Sequence, residues 1–430
     1  MPDKKKIIII VVVAAVVAVM GLIIFSGGKE PPPQQVELEM WGIYDDSDIF
    51  EQLIGSFNQT YPHIQIKYYK KNQSTYEKDL LEAMASGRGP DIFMIHHTWP
   101  SRYGNKISAA PSDLILLKDF QESFVDVVVD DFVSNGLVTA VPLGVDTLAL
   151  YYNKDIFNTL GIPEPPKTWE EFLDDVDLIT EISYRDNVTR AGAAIGTVRN
   201  INRSTDILCL LMLQSGAEMV DENKRGVIFD QPFRLDGKSF YPAERALKFY
   251  TDFTDPLKPI YTWNTRMDYS IDVFYRGDAA MMFNYSYHIP TIRAKAPYLN
   301  FGVAPMPQIE GSTKNIDYAN YWGLTVSKKS RHPREAWVFN AWISRKENHQ
   351  RYLQLTERPT ARRDLVAWQR TDPDLGIFAD QSLTAKSWYQ VDNLSIETIL
   401  ADMIESVVIG EATIKDSIKY AVNRINLLMR

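Results

Sequence analysis

At 430 residues the chain is about three times a ~150-residue single-domain length, and 45% hydrophobic residues supply a large core. A disordered chain, a fibre and a disulfide-stapled miniature are excluded. Lys plus Arg number 46 against 55 Asp plus Glu, so a net charge of -9 repels phosphate backbones and argues against a nucleic-acid scaffold. The lone Cys209 makes neither an internal disulfide nor a CxxC zinc or redox site.

Residues 7–25 are an uninterrupted apolar run, IIIIVVVAAVVAVMGLIIF. At ~1.5 Å per residue it reaches roughly 28 Å, close to the hydrocarbon thickness of a bilayer. Lys4, Lys5 and Lys6 precede it, which predicts a cytoplasmic segment 1–6 and an outward-facing body. A cleaved signal peptide is the rival reading, but FSGGKE at the end of the run offers no AxA site. Residues 26–36 then read as a tether, with Gly27 and Gly28 flexible and Pro31, Pro32 and Pro33 stiff.

From Val36 the pattern alternates strand and helix. VELEMW (36–41) and HIQIKYY (63–69) read as strands, and DIFMI (91–95) as a short buried one. Between them, Ile49, Phe50, Leu53, Ile54 and Phe57 share one helical face over 47–60. Ser74 and Glu77 suggest a capping box for a helix through Ala85, stopped by Gly87. Two βαβ crossovers follow, and with them an open parallel sheet whose ligands sit beyond the strands' carboxyl ends. Residues 42–48 and 96–100 therefore share a rim.

A second α/β region begins near Leu148. TLALYYN (147–153) reads as a strand, and Thr168 with Glu171 as another capping box. The stretch 185–240 is mixed: a strand and turn, a buried helix in DILCLLMLQSG, then a polar excursion. Helical periodicity returns at 242–253, at 333–353 and at 397–428, the last broken at Gly410.

Catalytic signatures are sparse. GxGxxG, Walker A, GxSxG and HExxH motifs are absent. His96 and His97 adjoin, but neighbouring strand residues face opposite sides, so rim hydrogen bonding is favoured over a metal. Asp45, Asp46 and Asp48 lack the Gly and Glu of an EF-hand loop and suit a helix N-terminus. No cofactor or metal is expected, although 55 acidic residues leave a glycosidase pair open.

Five strings in order carry a resemblance: GRGPDIFMIHHTWP (87–100), AVPLGVDTLALYYNKDIFNTLGIPEPPKTWEEF (140–172), FYRGDAAMMFNYSYHIPTI (274–292), LNFGVAPMPQ (299–308) and DYANYWGLTVSKKSRHPREAW (317–337), with RPTARRDL (358–365) after them. They resemble the family 1 extracellular solute-binding proteins, the capturing components of ABC importers for sugars and oligosaccharides. The resemblance implies an α/β, two-lobed periplasmic-binding-protein-like fold with three chain crossings, here preceded by one N-terminal transmembrane helix. Carried over, lobe one is 37–147 plus 304–327, and lobe two is 150–302 plus 328–430. The crossings then fall near 147–151, 301–305 and 325–330. Family members usually start with a cleaved signal or a lipidated cysteine, and this sequence departs from that with its apolar run.

A sugar cleft needs aromatic plates for apolar ring faces and planar polar groups for hydroxyls. The rim supplies Trp41, Tyr44 and Asp45 after the first strand, and His97 and Thr98 after the third. Asp146 stands beside the first crossing. The MMFNYSY string resembles a ligand-lining loop and offers Asn284, Tyr285 and Tyr287. Trp263, Trp322, Arg362 and Trp388 complete the expected set. The implied function is a monomeric, membrane-tethered, non-enzymatic protein that captures a carbohydrate by lobe closure and delivers it to ABC importer permease subunits. A ligand sensor for a receptor and an envelope glycosidase are the alternatives.

Overall fold

Alternation in Val36–Gly42 buries Val36, Leu38 and Met40 and turns Glu37 outward. In the computed structural model, which describes residues 34–430 apart from 185 and 236, this strand lies parallel to Ile64–Lys70 and Ile92–His96. The helix Ser47–Thr60 connects the first pair and buries Phe50, Leu53, Ile54 and Phe57. The expected span 7–25 and nearly all of the tether lie outside the described residues. Among the described residues, no helix is long and apolar enough to cross a membrane.

Two local expectations change. The sheet is mixed, because Trp322–Ser327 returns antiparallel to Ile92–His96, with Trp322 opposite His96. Sequence order hid this, since the partner strand lies more than two hundred residues downstream. The Ser74–Glu77 box is not formed. Thr75 stands at the N-cap but its hydroxyl donates to Asp79 instead of capping a helix amide, Ser74 turns to Asn72, and Glu77 takes Arg102 and Tyr103. The box at Thr168 and Glu171 is formed in full.

A second sheet runs Glu181–Ser183, Asn187–Ala193, Ala279–Asn284, Ala149–Asn153, Phe301–Ala304. Its helix Ser204–Gln214 is buried along most of its length, as an all-apolar helix must be. The two sheets carry separate apolar cores. The first core gathers 36–145 and the second most of 148–306. The late helices then divide between them. Trp337, Phe339, Trp342, Tyr352, Leu353 and Leu365 join the first core, whereas Phe378, Ile399, Leu400 and Ile425 join the second. Residues 333–365 thus pack with lobe one, not with lobe two as the resemblance implied. An amphipathic helix declares a buried face but not which core it meets.

The chain therefore passes between cores near 146, near 318 and again over 368–388, where Phe378 and Trp388 pack in the second core and Ala385 in the first. These three passages pair with each other. Asp146–Thr147, Asp317–Asn320 and Ala385–Lys386 form one three-stranded sheet, with Asp317–Asn320 in the middle. The first passage, near 146, lies beside the expected 147–151. The other two lie farther along the chain than 301–305 and 325–330.

Candidate functional site

Where the two lobes face each other, two adjoining cavities of 720 and 490 Å³ open beside the three-stranded sheet. Tyr44, Gln73, Arg203, Asn320 and Trp322 line both, which makes one divided cleft.

Lobe one contributes rings. Trp322 is half-buried at the start of its strand, and its indole meets Trp99 edge-on at 5.0 Å, His96 at 5.1 Å and Tyr44 at 5.8 Å. Tyr76 stacks near Trp99 behind them. These residues converge because strand ends and the loops after them share a rim. His96 Nε2 donates to Asn320 Oδ1 (3.3 Å), and its Nδ1 shares a hydrogen bond with Thr98 Oγ1 (2.8 Å). Burial, then neighbouring His97, holds its pKa well below the usual histidine value, so the ring is neutral. His97 reaches Asp131 Oδ2 at 3.2 Å and stacks on Tyr321 at 4.8 Å. Among the described residues, no group of three or more His, Cys, Asp or Glu is placed to hold a metal ion.

Lobe two contributes charge and hydroxyls. Arg203 occupies the left-handed region at φ 61°, at the N-cap of Ser204–Gln214. Its Nε and Nη2 donate to the Tyr287 hydroxyl at 3.0 and 2.5 Å, and Asp206 lies 3.9 Å away. Beneath it, the Tyr285 hydroxyl donates to Asp206 Oδ2 at 2.8 Å. Burial raises the Asp206 and Glu397 carboxyls above their ordinary values.

Beside the hinge, Asp146 accepts from the Ser286 amide (3.1 Å), the Ser286 hydroxyl (2.8 Å) and the Thr147 amide (2.9 Å). Burial still outweighs these bonds and pushes Asp146 up to about 6. Arg358 lines the smaller cavity, with its guanidinium 5.4 Å from the Tyr44 ring.

Six expected residues line the cleft: Tyr44, His97, Thr98, Asp146, Tyr287 and Trp322. The other seven do not line it. Asp45 stands one layer back and grips Arg358 (2.7 Å) and the Tyr352 hydroxyl (2.9 Å). Tyr285 and Asn284 are fully buried behind the wall, where Asn284 Oδ1 accepts from the Tyr285 amide. Trp263 and Trp388 belong to the second core. Trp41 bonds Glu39 and lies under Lys71. Arg362 pairs with Asp364 and lines a separate 290 Å³ cavity. Sequence reasoning missed Arg203, Asp206, Arg358, Trp99 and Glu397. Arg358 and Trp99 stand inside the quoted strings RPTARRDL and GRGPDIFMIHHTWP. Arg203 and Asp206 flank the start of a buried helix, a signal that was available and unused.

Comparison with known proteins places the chain in a family setting. A family model described as bacterial extracellular solute-binding protein matches residues 44–350. The maltotriose-binding protein of Pyrococcus abyssi is 23% identical, over 70% of this chain and 60% of that protein, so the match spans less than two thirds of that relative. The sn-glycerol-3-phosphate-binding periplasmic protein UgpB of Salmonella typhimurium is 27% identical, over 88% of this chain and 89% of its own. The crystal structure of a cyclic alpha-maltosyl-1,6-maltose binding protein from Arthrobacter globiformis superposes with a TM-score of 0.75 at 19% identity, covering 92% of this chain and 99% of that one. At that identity the likeness bears on the fold alone.

Proposed function

The chain belongs to the bacterial extracellular solute-binding proteins, and from that premise we propose that it captures an uncharged oligosaccharide between its lobes and releases it to the permease of an ABC importer. The apolar run 7–25 supports a membrane tether for the extracytoplasmic body. A single copy carries both walls of the cleft, so a monomer suffices.

One observation carries the reading. Across one continuous cleft, the Tyr44, Trp99 and Trp322 rings of lobe one face the Arg203, Tyr287 and Asp206 groups of lobe two. Rings cover the apolar faces of a sugar, and guanidinium, carboxylate and hydroxyl groups bond its rim. Each cleft arginine already has a carboxylate, Asp45 for Arg358 and Asp206 for Arg203. This pairing favours a neutral guest over a phosphate ester.

Mechanism follows from bridging. A ligand that touches both walls binds the closed arrangement better than the open one, and only that difference drives closure about the hinge. Trp99 Nε1 already donates to Asn393 Oδ1 across the gap at 3.1 Å, and Ser101 Oγ to the Gln390 carbonyl at 2.8 Å. These contacts lower the cost of closing. The Asp146 carboxylate is held by three donors, which suits a fixed acceptor more than a group that moves protons.

Calorimetric titration of the full chain in detergent, with maltotriose and with sn-glycerol-3-phosphate, tests the proposal. Stoichiometric binding of the oligosaccharide with no cleavage product is expected. Binding of the phosphate ester alone overturns the neutral-sugar reading, and release of shortened sugars overturns binding without chemistry.

A further inference from the structure

The parallel strands of the first sheet end at the cleft rim, and their amino ends form the opposite edge. There Ile92 faces Met40 on one side and Val326, on the antiparallel strand, on the other. Val36 precedes Met40 on its strand and residues 328–331 follow Val326, so both run out past this same edge.

The edge is basic, on a chain whose net charge is -9. Arg88, Lys328, Lys329 and Arg331 are exposed and Lys106 is half-buried. Backbone bonds gather them. The Lys328 amide donates to the Lys106 carbonyl at 2.8 Å, and the Arg88 amide to the Ala83 carbonyl at 2.9 Å. Lys329 Nζ reaches the Met84 carbonyl beside it at 3.3 Å. No carboxylate offsets these charges. Arg88 reaches the Ser86 hydroxyl and Lys106 the Asn105 side chain, while Lys328 and Arg331 have no side-chain partner among the described residues. Nearby acids are engaged elsewhere: Glu37 by Lys67, Glu82 by Lys78, Asp113 by Arg334, and Asp91 by Ser330 and the Glu39 amide. Like charges crowded in this way repel one another, and an anionic surface relieves the repulsion.

The chain ahead of this edge identifies the surface. Ten residues, 26–35, separate the apolar run 7–25 from Val36, a reach of at most about 35 Å. Anionic headgroups attract Lys and Arg held within about a Debye length of a bilayer. We propose that this edge of lobe one docks on an anionic bilayer, with Arg88, Lys328, Lys329 and Arg331 facing lipid phosphates. Such docking rests on the membrane tether proposed above, whatever solute the cleft holds. It turns the cleft rim, at the other ends of the same strands, away from the lipid.

The test reconstitutes the full chain into phosphatidylcholine vesicles, with or without phosphatidylglycerol at about one lipid in three, and follows lysine acetylation by mass spectrometry. Lys328 and Lys329 should react about fivefold more slowly with phosphatidylglycerol present. They should recover in about 1 M salt, where the Debye length falls to ~3 Å. Lys415, exposed on the last helix of lobe two, should react alike throughout. Combining Lys328→Glu with Arg331→Glu should return Lys329 to its phosphatidylcholine rate. Protein washed from phosphatidylcholine vesicles by salt overturns the tether and the docking together. Protein retained there overturns docking alone if Lys328 and Lys329 react equally in both lipids, if Lys415 slows with them, or if Lys329 stays slowed in salt or after charge reversal.

Discussion

The two walls of the cleft are made from different chemistry. Lobe one offers rings fixed by edge-on contacts among themselves, with Trp322 at their centre. Lobe two offers a guanidinium, carboxylates and a phenol held in a hydrogen-bonded chain from Arg203 through Tyr287 and from Tyr285 to Asp206. The difference teaches a division of labour. A ring wall gains mainly from contact area and tolerates small shifts, whereas a polar wall rewards correct angles. The wall that arrives second should therefore decide which guest permits closure.

The largest expected effect separates core from cleft. Trp263→Ala empties a fully buried site in lobe two and should cost about 3–5 kcal/mol of stability. Denaturant unfolding measures this, and sugar affinity of the folded fraction should stay unchanged. Next, Trp322→Ala removes the centre of the ring wall and should weaken oligosaccharide binding by about 2 kcal/mol, with little change in melting temperature. Arg203→Gln breaks the bond to Tyr287 and should cost about tenfold in affinity, within the range for a charged hydrogen bond. It should also alter the ranking among sugar isomers, which Trp322→Ala leaves in order. If the two variants exchange these signatures in calorimetry, the division of labour fails.

The smallest effect at neutral pH concerns acid. His349 lies in lobe one with both ring nitrogens unpartnered, and burial, then Arg362, holds it down at about 3. The unfolded chain takes up that proton near pH ~6.5. Between the two values the unfolded state binds more protons, so stability falls as pH drops from about 6.5 toward 3. His96 acts in the same direction from the same lobe. Lobe two has His288, lowered to about 4. Asp146 has the opposite sign: its folded value is raised to about 6, so its contribution is full at acid pH and lost as pH rises through 6. Melting scans at pH 7 and pH 5 should show a smaller drop for His349→Leu than for the unchanged chain. Equal drops would assign acid sensitivity elsewhere.

Much of this arrangement is legible from residues. Alternation marks Val36–Gly42, and the Thr168 box marks the helix Trp169–Ile179, because both signals are local. The return of Trp322–Ser327 into the first sheet is not local, and neither is the choice of core by Pro333–Ile343. The site divides in the same way. Tyr44 and His97 follow from the rule that ligands meet strand ends. Arg358 and Arg362 stand in one string with the same side chain, and only packing separates them. Arg358 stands on the cleft wall with Asp45 gripping it from behind, while Arg362 is captured by Asp364 and the Ser344 carbonyl. Tyr285 and Tyr287 differ likewise: one lies beneath the wall and the other is 49% exposed on it.

Gln381 has a mechanical consequence. One side-chain amide ties the strand at Thr147 and Leu148 to the loop at Met306, from within the third passage. Three separate strings could each twist alone, letting the halves wobble along several paths. Knotted at a common pivot, they are held as one unit, so any swing of the proposed jaw has to carry all of them along a shared arc.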